Sequence, residues 1–467
     1  MRRPIPLIGD QSQNRIAEVS NQRSINFEPT YNKPNAKTPM ALYSAPGLKL
    51  DAIVGVGPCR SNGIKWGGSI YFVTGNSFVR REPSGVWTTI GEINTTGGWC
   101  VISKGRAYIA FVDGVDGWAY DGTTFAQIID PDFPAGATHL SYLNGRWAAN
   151  QGDSDRFYLS GTEDPYAWAP LDFATAEANP DNILAHIATN RDIYFLGKDT
   201  IQVYFDSGSL DFPLAPYQDV IEMGIDAKYS LAKGVQGLFF LASNEEGDRM
   251  VVKAMGFGIT ILSDDDLNWQ INKLPVTNDA IGSLYRHKGQ TWYQLTFPSA
   301  DITYILNVDK GGWYQRKSAN IGRFRVSGIG FLDGKVICGD YTSGRMYQLD
   351  YDSITEDGNT IERRRTAQVM QVDQRDMEHN ELVVDIKTGV GNVAGSDPLM
   401  QIRYSDDGEH TWSSWLTASM GKLGEYNVRL KWSKLGTSPN RVYELLCNHQ
   451  AEVHIYNAYL EARTLNS

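Results

Sequence analysis

Cysteine is scarce in this chain, and what there is lies scattered. Cys59, Cys100, Cys338 and Cys447 form neither a CxxC nor a CxxH pair. That excludes a local zinc ribbon and argues against a disulfide framework. Single distant cysteines fit buried thiols in a reducing compartment. Histidine is also sparse, and His139, His186, His287, His379, His410, His449 and His454 make no HxxxH or HExxH pair, so a zinc site has no local support. The chain has no GxSxG elbow and no Walker loop. It has no apolar run long enough for a membrane helix, and the N-terminal Met1-Arg2-Arg3-Pro4 is not followed by the apolar core of a secretion signal. An excess of basic residues is missing too. The net charge is −11, which excludes tight wrapping of DNA. Contact with passing DNA stays open, because an acidic wall repels the strand and lets it slide.

Aromatic residues and glycine are abundant: 12 Trp, 24 Tyr and 46 Gly among 467 residues. Aromatics favour strands and glycines favour tight turns, so the composition points to an all-β protein of two or three folding units. Residues 1–50 are polar and punctuated by proline, and read as an extended N-terminal arm with a short edge strand at Ser24–Pro29. Residues 51–355 repeat one theme, in which a short apolar strand meets a Gly, Asn or Asp turn and a second aromatic strand follows. Ser69–Val73, Arg106–Phe111, Leu140–Leu143, Asp192–Leu196, Gly237–Leu241 and Gly289–Leu295 are examples. Cycles start roughly 40 to 50 residues apart, the length of a β-propeller blade. That spacing predicts about six or seven blades, with six favoured. Residues 356–467 follow as a linker and a small antiparallel β-sandwich.

Three stretches are candidate sites. Arg363, Arg364 and Arg365 lie in the charged connection after the propeller, either as an interface for phosphate or a partner carboxylate or as a solvated linker strand. Asp264-Asp265-Asp266 has part of a calcium loop, but the Gly and distal Glu of that pattern are absent, so it reads as a solvated turn. The third stretch is Ser405 to Trp412. Ile402 and Tyr404 precede it in strand alternation, and Trp412 and Trp415 are expected on the return strand. Tyr426, Val428, Leu430 and Trp432 form a further expected strand. The turn resembles the Asp-box of sialidases and related propellers, which reads Ser-x-Asp-x-Gly-x-Thr-Trp. Ser405, Asp407, Thr411 and Trp412 match, whereas Glu409 stands at the Gly position. An Asp-box is a structural brace remote from catalysis, so Asp407 is expected to hold the turn and Trp412 to anchor the core. No catalytic, cofactor-binding or metal residue is assigned.

Two regions carry a wider resemblance. The run Ile402–Gly408, Thr411-Trp412, Gly421–Tyr426, Arg429, Trp432 and Leu435-Gly436 resembles the closing domain of the packaged-DNA stabilisation proteins of short-tailed phages, the tail accessory, hub or nozzle proteins. Ile25–Pro29 and Ser44–Leu48 are similar to that family's opening. The resemblance implies a structural virion protein in the phage tail, assembled in the bacterial cytoplasm. It implies a homohexameric ring below the portal–adaptor ring that extends the DNA channel and retains the packaged genome. Double-stranded DNA would pass transiently and without specific binding, and a tail needle, fibres or tailspikes would be supported. It implies no cofactor, no membrane segment and no enzymatic activity. The alternative, motivated by the tryptophans and the Asp-box-like turn, is a carbohydrate-binding or glycan-hydrolysing propeller.

Overall fold

The computed structural model describes residues 2–465 except 17–19, 33–34, 37, 177–180, 210–211, 373–374, 390–392 and 394. Nearly all regular structure is β. Six four-stranded blades each come from one continuous stretch. They start at the innermost strands Ile64–Trp66, Val101–Lys104, Leu140–Leu143, Ala185–Ala188, Ala232–Gly234 and Ile281–His287; in the fifth, Gly224–Ile225 also pairs beside the innermost strand. A composite seventh sheet closes the ring. Val326–Leu332, Lys335–Asp340 and Arg345–Asp350 come from the end of the propeller. The fourth strand, Gly47–Ile53, comes from its beginning and pairs antiparallel with Arg345–Asp350. The expected count of about six describes the continuous blades; the closing sheet is incomplete in a local repeat because its fourth strand lies about 300 residues before the other three.

The apolar runs of the repeat have a simple cause. The middle strands of a blade are covered on both faces by neighbouring blades, so Ser69–Thr74 and Ile109–Val112 are buried throughout rather than alternating. Tyr71 and Phe78 of the first blade pack with Phe111, Trp118 and Tyr120 of the second. Cys59, Ile70 and Phe72 pack with Leu332, Ile337 and Met346, which joins the first blade to the last. All four cysteines are buried and free, and burial pushes the Cys59 and Cys100 thiols up to about 12.

The sandwich is not formed by the C-terminal residues alone. One of its sheets runs Leu430–Ser433, Met377–Ile386, His454–Thr464, Met40–Ser44, Phe27–Tyr31, with Arg2–Pro4 also on His454–Thr464. The other contains Arg363–Thr366, Asn440–Cys447, Leu399–Ser405 and Leu416–Ser419. The segment expected to be an arm is therefore woven into the protein's own sheets. The reason is apolar burial: Leu7, Phe27 and Leu42 sit in one core with Leu382, Ile402, Trp432 and Tyr443.

The stretch Ser24–Pro29 is not a single strand, although its second part, Phe27–Tyr31, does lie at the edge of its sheet. It splits into Ser24–Ile25 and Phe27–Tyr31, which lie in different sheets. Asn26 makes the crossing with φ 57°, a conformation that asparagine tolerates better than most residues. Its amide Nδ2 donates to the carbonyls of Lys317 at 2.8 Å and Glu362 at 2.7 Å, and its Oδ1 accepts from Lys317 N at 3.0 Å. Ser24–Ile25 meanwhile pairs with Trp313–Gln315 of the sixth blade on one side and Arg363–Thr366 on the other. A single sheet thus passes from the propeller into the sandwich.

Candidate functional site

The Ser405 turn braces itself. Ser405 Oγ donates to Asp407 Oδ1 at 2.7 Å, and Glu409 N donates back to Ser405 Oγ at 2.9 Å. Asp407 then accepts from Thr411 twice, from the amide at 2.8 Å and from the hydroxyl at 2.5 Å. These donors, the Thr411 hydroxyl first, hold the Asp407 carboxyl down at about 2. Asp406 points elsewhere and makes a bidentate pair with the buried Arg441, at 2.6 and 2.7 Å.

The departure from the Asp-box pattern has a structural use. Glu409 takes a positive φ of 72° where that pattern has glycine. Its carboxylate lies 3.2 Å from Arg23 and also accepts from Asn21. The turn therefore grips the N-terminal segment. Two expectations about its flanks are corrected. Trp412 is half-buried rather than a core anchor, and the return strand begins only at Leu416. Trp412 and Trp415 instead both pack against the Arg403 guanidinium, at 4.3 and 4.6 Å from their ring centres. Similarly, the strand expected from Tyr426 starts at Leu430, and Tyr426 is exposed.

The arginine strand is no solvated linker. Arg363 and Arg365 are both 0% exposed. Arg365 donates to Leu7 O at 2.6 Å, Asp10 O at 3.2 Å and Gln22 Oε1 at 2.9 Å, and so ties down the N-terminal segment. Arg363 donates to Ile361 O at 3.1 Å. Burial lowers both guanidinium pKa values to about 10. Arg364 is partly exposed and shares the buried Glu444 with Arg403, at 3.4 and 2.5 Å. The central strand Asn440–Cys447 lies between their two strands, which explains how residues distant in sequence meet. The interface these arginines form is internal to the chain.

The aspartate triplet is a helix cap and not a solvated turn. Asp264 accepts from Leu267 N at 2.8 Å at the start of the helix Asp265–Asn272. Asp266 accepts from Asn14 Nδ2 at 2.8 Å. Among the described residues, no cluster of three or more His, Cys, Asp or Glu could hold a metal ion, and no helix is long and apolar enough to cross a membrane.

One concave site escaped the sequence reading. The propeller's centre holds a cavity of about 1280 Å³ lined by the innermost strands. His139 and His186 line it and are buried. His186 contacts Ser141 Oγ and His139 O, each at 3.0 Å, and burial lowers its pKa to about 4. Lys104, Arg191, Lys233 and Arg286 also line the cavity. They lie far apart in sequence: Lys104, Lys233 and Arg286 sit near the ends of innermost strands and Arg191 in the turn after one, in four different blades.

A propeller closed by its own N-terminal strand and spliced by a shared sheet to a β-sandwich defines a two-domain structural scaffold. Residues 2–354 match the family model described as bacteriophage P22 Gp10, beta-propeller, and residues 362–463 match bacteriophage P22 Gp10, beta-sandwich. The chain belongs to this phage family of packaged-DNA stabilisation proteins, and is a structural protein of the phage tail. No curated protein matches it significantly. Among solved structures it is similar to a streptogramin B lyase, at 14% identity over 66% of this chain and 97% of that one with a TM-score of 0.42. It is also similar to the extracellular domain of a putative hybrid two-component system of B. thetaiotaomicron, at 12% identity over 76% and 45% with a TM-score of 0.44. A third is the N-terminal domain of Nup159, at 10% identity over 70% and 98% with a TM-score of 0.41. At these values the likeness is too distant to carry a functional argument.

Proposed function

We propose that the protein assembles as a homohexameric hub or nozzle ring below the portal–adaptor ring, where it extends the DNA channel and retains the packaged genome. The observation that carries this reading is the family match across both domains, 2–354 and 362–463. The net charge of −11 suits a ring through which DNA passes without adhering. The propeller's own cavity, about 1280 Å³, has the scale of a small-molecule site and not of a duplex passage. DNA therefore runs through the opening between subunits, and the channel wall is built from their outer surfaces. The shared sheet through Ser24–Ile25 suits a load-bearing part, because it lets force pass from propeller to sandwich through backbone hydrogen bonds. A tail needle, fibres or tailspikes are the further partners of this reading. Assembly takes place in the bacterial cytoplasm before the protein enters the virion tail.

Electron microscopy of the purified protein, alone and mixed with its portal–adaptor complex, tests the proposal. The expected result is a sixfold ring seated beneath the adaptor. A strictly monomeric protein that never joins that complex would overturn it. Hydrolysis of a host polysaccharide by the purified chain would favour a carbohydrate-active propeller instead.

A further inference from the structure

We propose that the central cavity of the propeller is a binding site for a small multivalent oxyanion. Its lining is cationic within an acidic protein. Lys104, Arg191, Lys233 and Arg286 line it against only Asp192 and Asp309. Both carboxylates keep their charge on neutral donors, and four cations against two anions leave the lining net cationic. Asp309 accepts from Gln236 Nε2 at 2.6 Å and Thr291 N at 2.5 Å, and Asp192 accepts from the Tyr217 hydroxyl at 3.2 Å. Among the described residues, none of the four cations makes a salt bridge.

The two lysines are placed by a repeated device. Lys104 ends the innermost strand of the second blade, and its Nζ donates to Lys65 O in the innermost strand of the first, at 3.1 Å. Lys233 lies on the innermost strand of the fifth blade, and its Nζ donates to Ala188 O at the end of the innermost strand of the fourth, at 2.8 Å. Each ammonium is held at the cavity by a neutral carbonyl, which leaves its charge uncompensated. The surrounding protein, and then the Lys104 charge, hold the Lys233 ammonium below its ordinary pKa, so the two cations act on the same space. A concave wall focuses such a field, and an anion bearing several negative charges relieves the repulsion between the lysines while accepting charge-assisted hydrogen bonds. Phosphate groups and carboxylates share this chemistry.

The test is calorimetric titration of the full-length protein at low salt with sodium tripolyphosphate and, separately, trisodium citrate. Saturable binding of either supports the site; tighter tripolyphosphate binding assigns a phosphate-bearing ligand, and tighter citrate binding a polycarboxylate. The exposed side chains of Lys104 and Lys233 allow Lys104→Gln and Lys233→Gln without disturbing the core, and each weakens binding about tenfold. Lys431→Gln, in the sandwich, leaves it unchanged. A second measurement needs no variant: the bound anion shields Lys104 and Lys233 from acylation. Absence of saturable binding for both anions, unchanged affinity in the double lysine variant, or equal acylation with and without anion overturns the proposal.

Discussion

Arg316 and Glu356 form an ion pair of 2.7 Å in which the two side chains are only 1% and 2% exposed. Arg316 follows the last strand of the sixth blade, and Glu356 lies on Thr355–Glu356, which extends the closing sheet by pairing with Gly47–Ile53. Arg316 also donates to Pro46 O at 2.5 Å, where the N-terminal segment enters the propeller. Three parts of the chain therefore meet at one guanidinium.

Glu356→Ala leaves that guanidinium buried without its counter-charge and is expected to destabilise the protein by about 3–5 kcal/mol. Replacing both residues with apolar side chains of similar volume is expected to recover most of the loss, since the desolvation cost of the pair disappears with its attraction. Urea unfolding of the single and double variants checks both outcomes. A single variant as stable as wild type would contradict the role given to the pair.

Stability is expected to fall as pH rises through the range set by Glu28. This side chain is 3% exposed and accepts from Tyr314 at 3.1 Å and Tyr351 at 2.7 Å. Burial outweighs those donors, together with nearby Arg316 and Lys288, and pushes the carboxyl up to about 7 from an ordinary 4.5. A carboxyl raised on folding contributes stability that is complete below the lower value and gone above the higher one. The loss therefore falls between these two pH values and amounts to about 3 kcal/mol. Glu28→Gln should abolish this component, which a comparison of unfolding free energies at both ends of the window reveals.

Arg365→Ala is expected to release the N-terminal segment before the rest of the protein unfolds. The substitution removes donors to Leu7 O, Asp10 O and Gln22 and leaves a void in the arginine's place. An effect of about 3–5 kcal/mol is expected for such a buried network. Limited proteolysis should then cut within the first 44 residues. Deleting those residues outright is expected to unfold the sandwich, because Phe27 and Leu42 belong to its core. A deletion variant with an intact sandwich spectrum would show that the segment is dispensable.

Asp407→Ala is expected to loosen the Ser405 turn without touching any chemistry. The amide of Thr411 loses its acceptor, so its hydrogen exchange should accelerate while amides of the propeller stay protected. Because the Asp407 carboxyl sits low, at about 2 against an ordinary 3.8, the brace is intact above the ordinary value and weakens as pH falls through the lower one. Unchanged exchange at Thr411 would sink the idea.

Aromatic strands punctuated by glycine turns were enough to read a propeller followed by a sandwich, because blade and strand periods are local properties of the chain. The brace at Asp407 was legible for the same reason: its partners Ser405 and Thr411 lie within four residues of it. Tertiary structure alone decided the rest. The closing strand Gly47–Ile53 and the splice at Asn26 depend on pairing across some 300 residues, for which no local period exists. Arg363 and Arg365 look solvent-seeking by composition, yet sheet pairing buries them beside free backbone carbonyls. Lys104 and Lys233 converge only because successive blades turn the ring back upon itself. The turn from Ser405 to Trp412 joins both kinds of information: residues 405, 407 and 411 shape it locally, while Glu409 acquires its purpose from Arg23, 386 positions away.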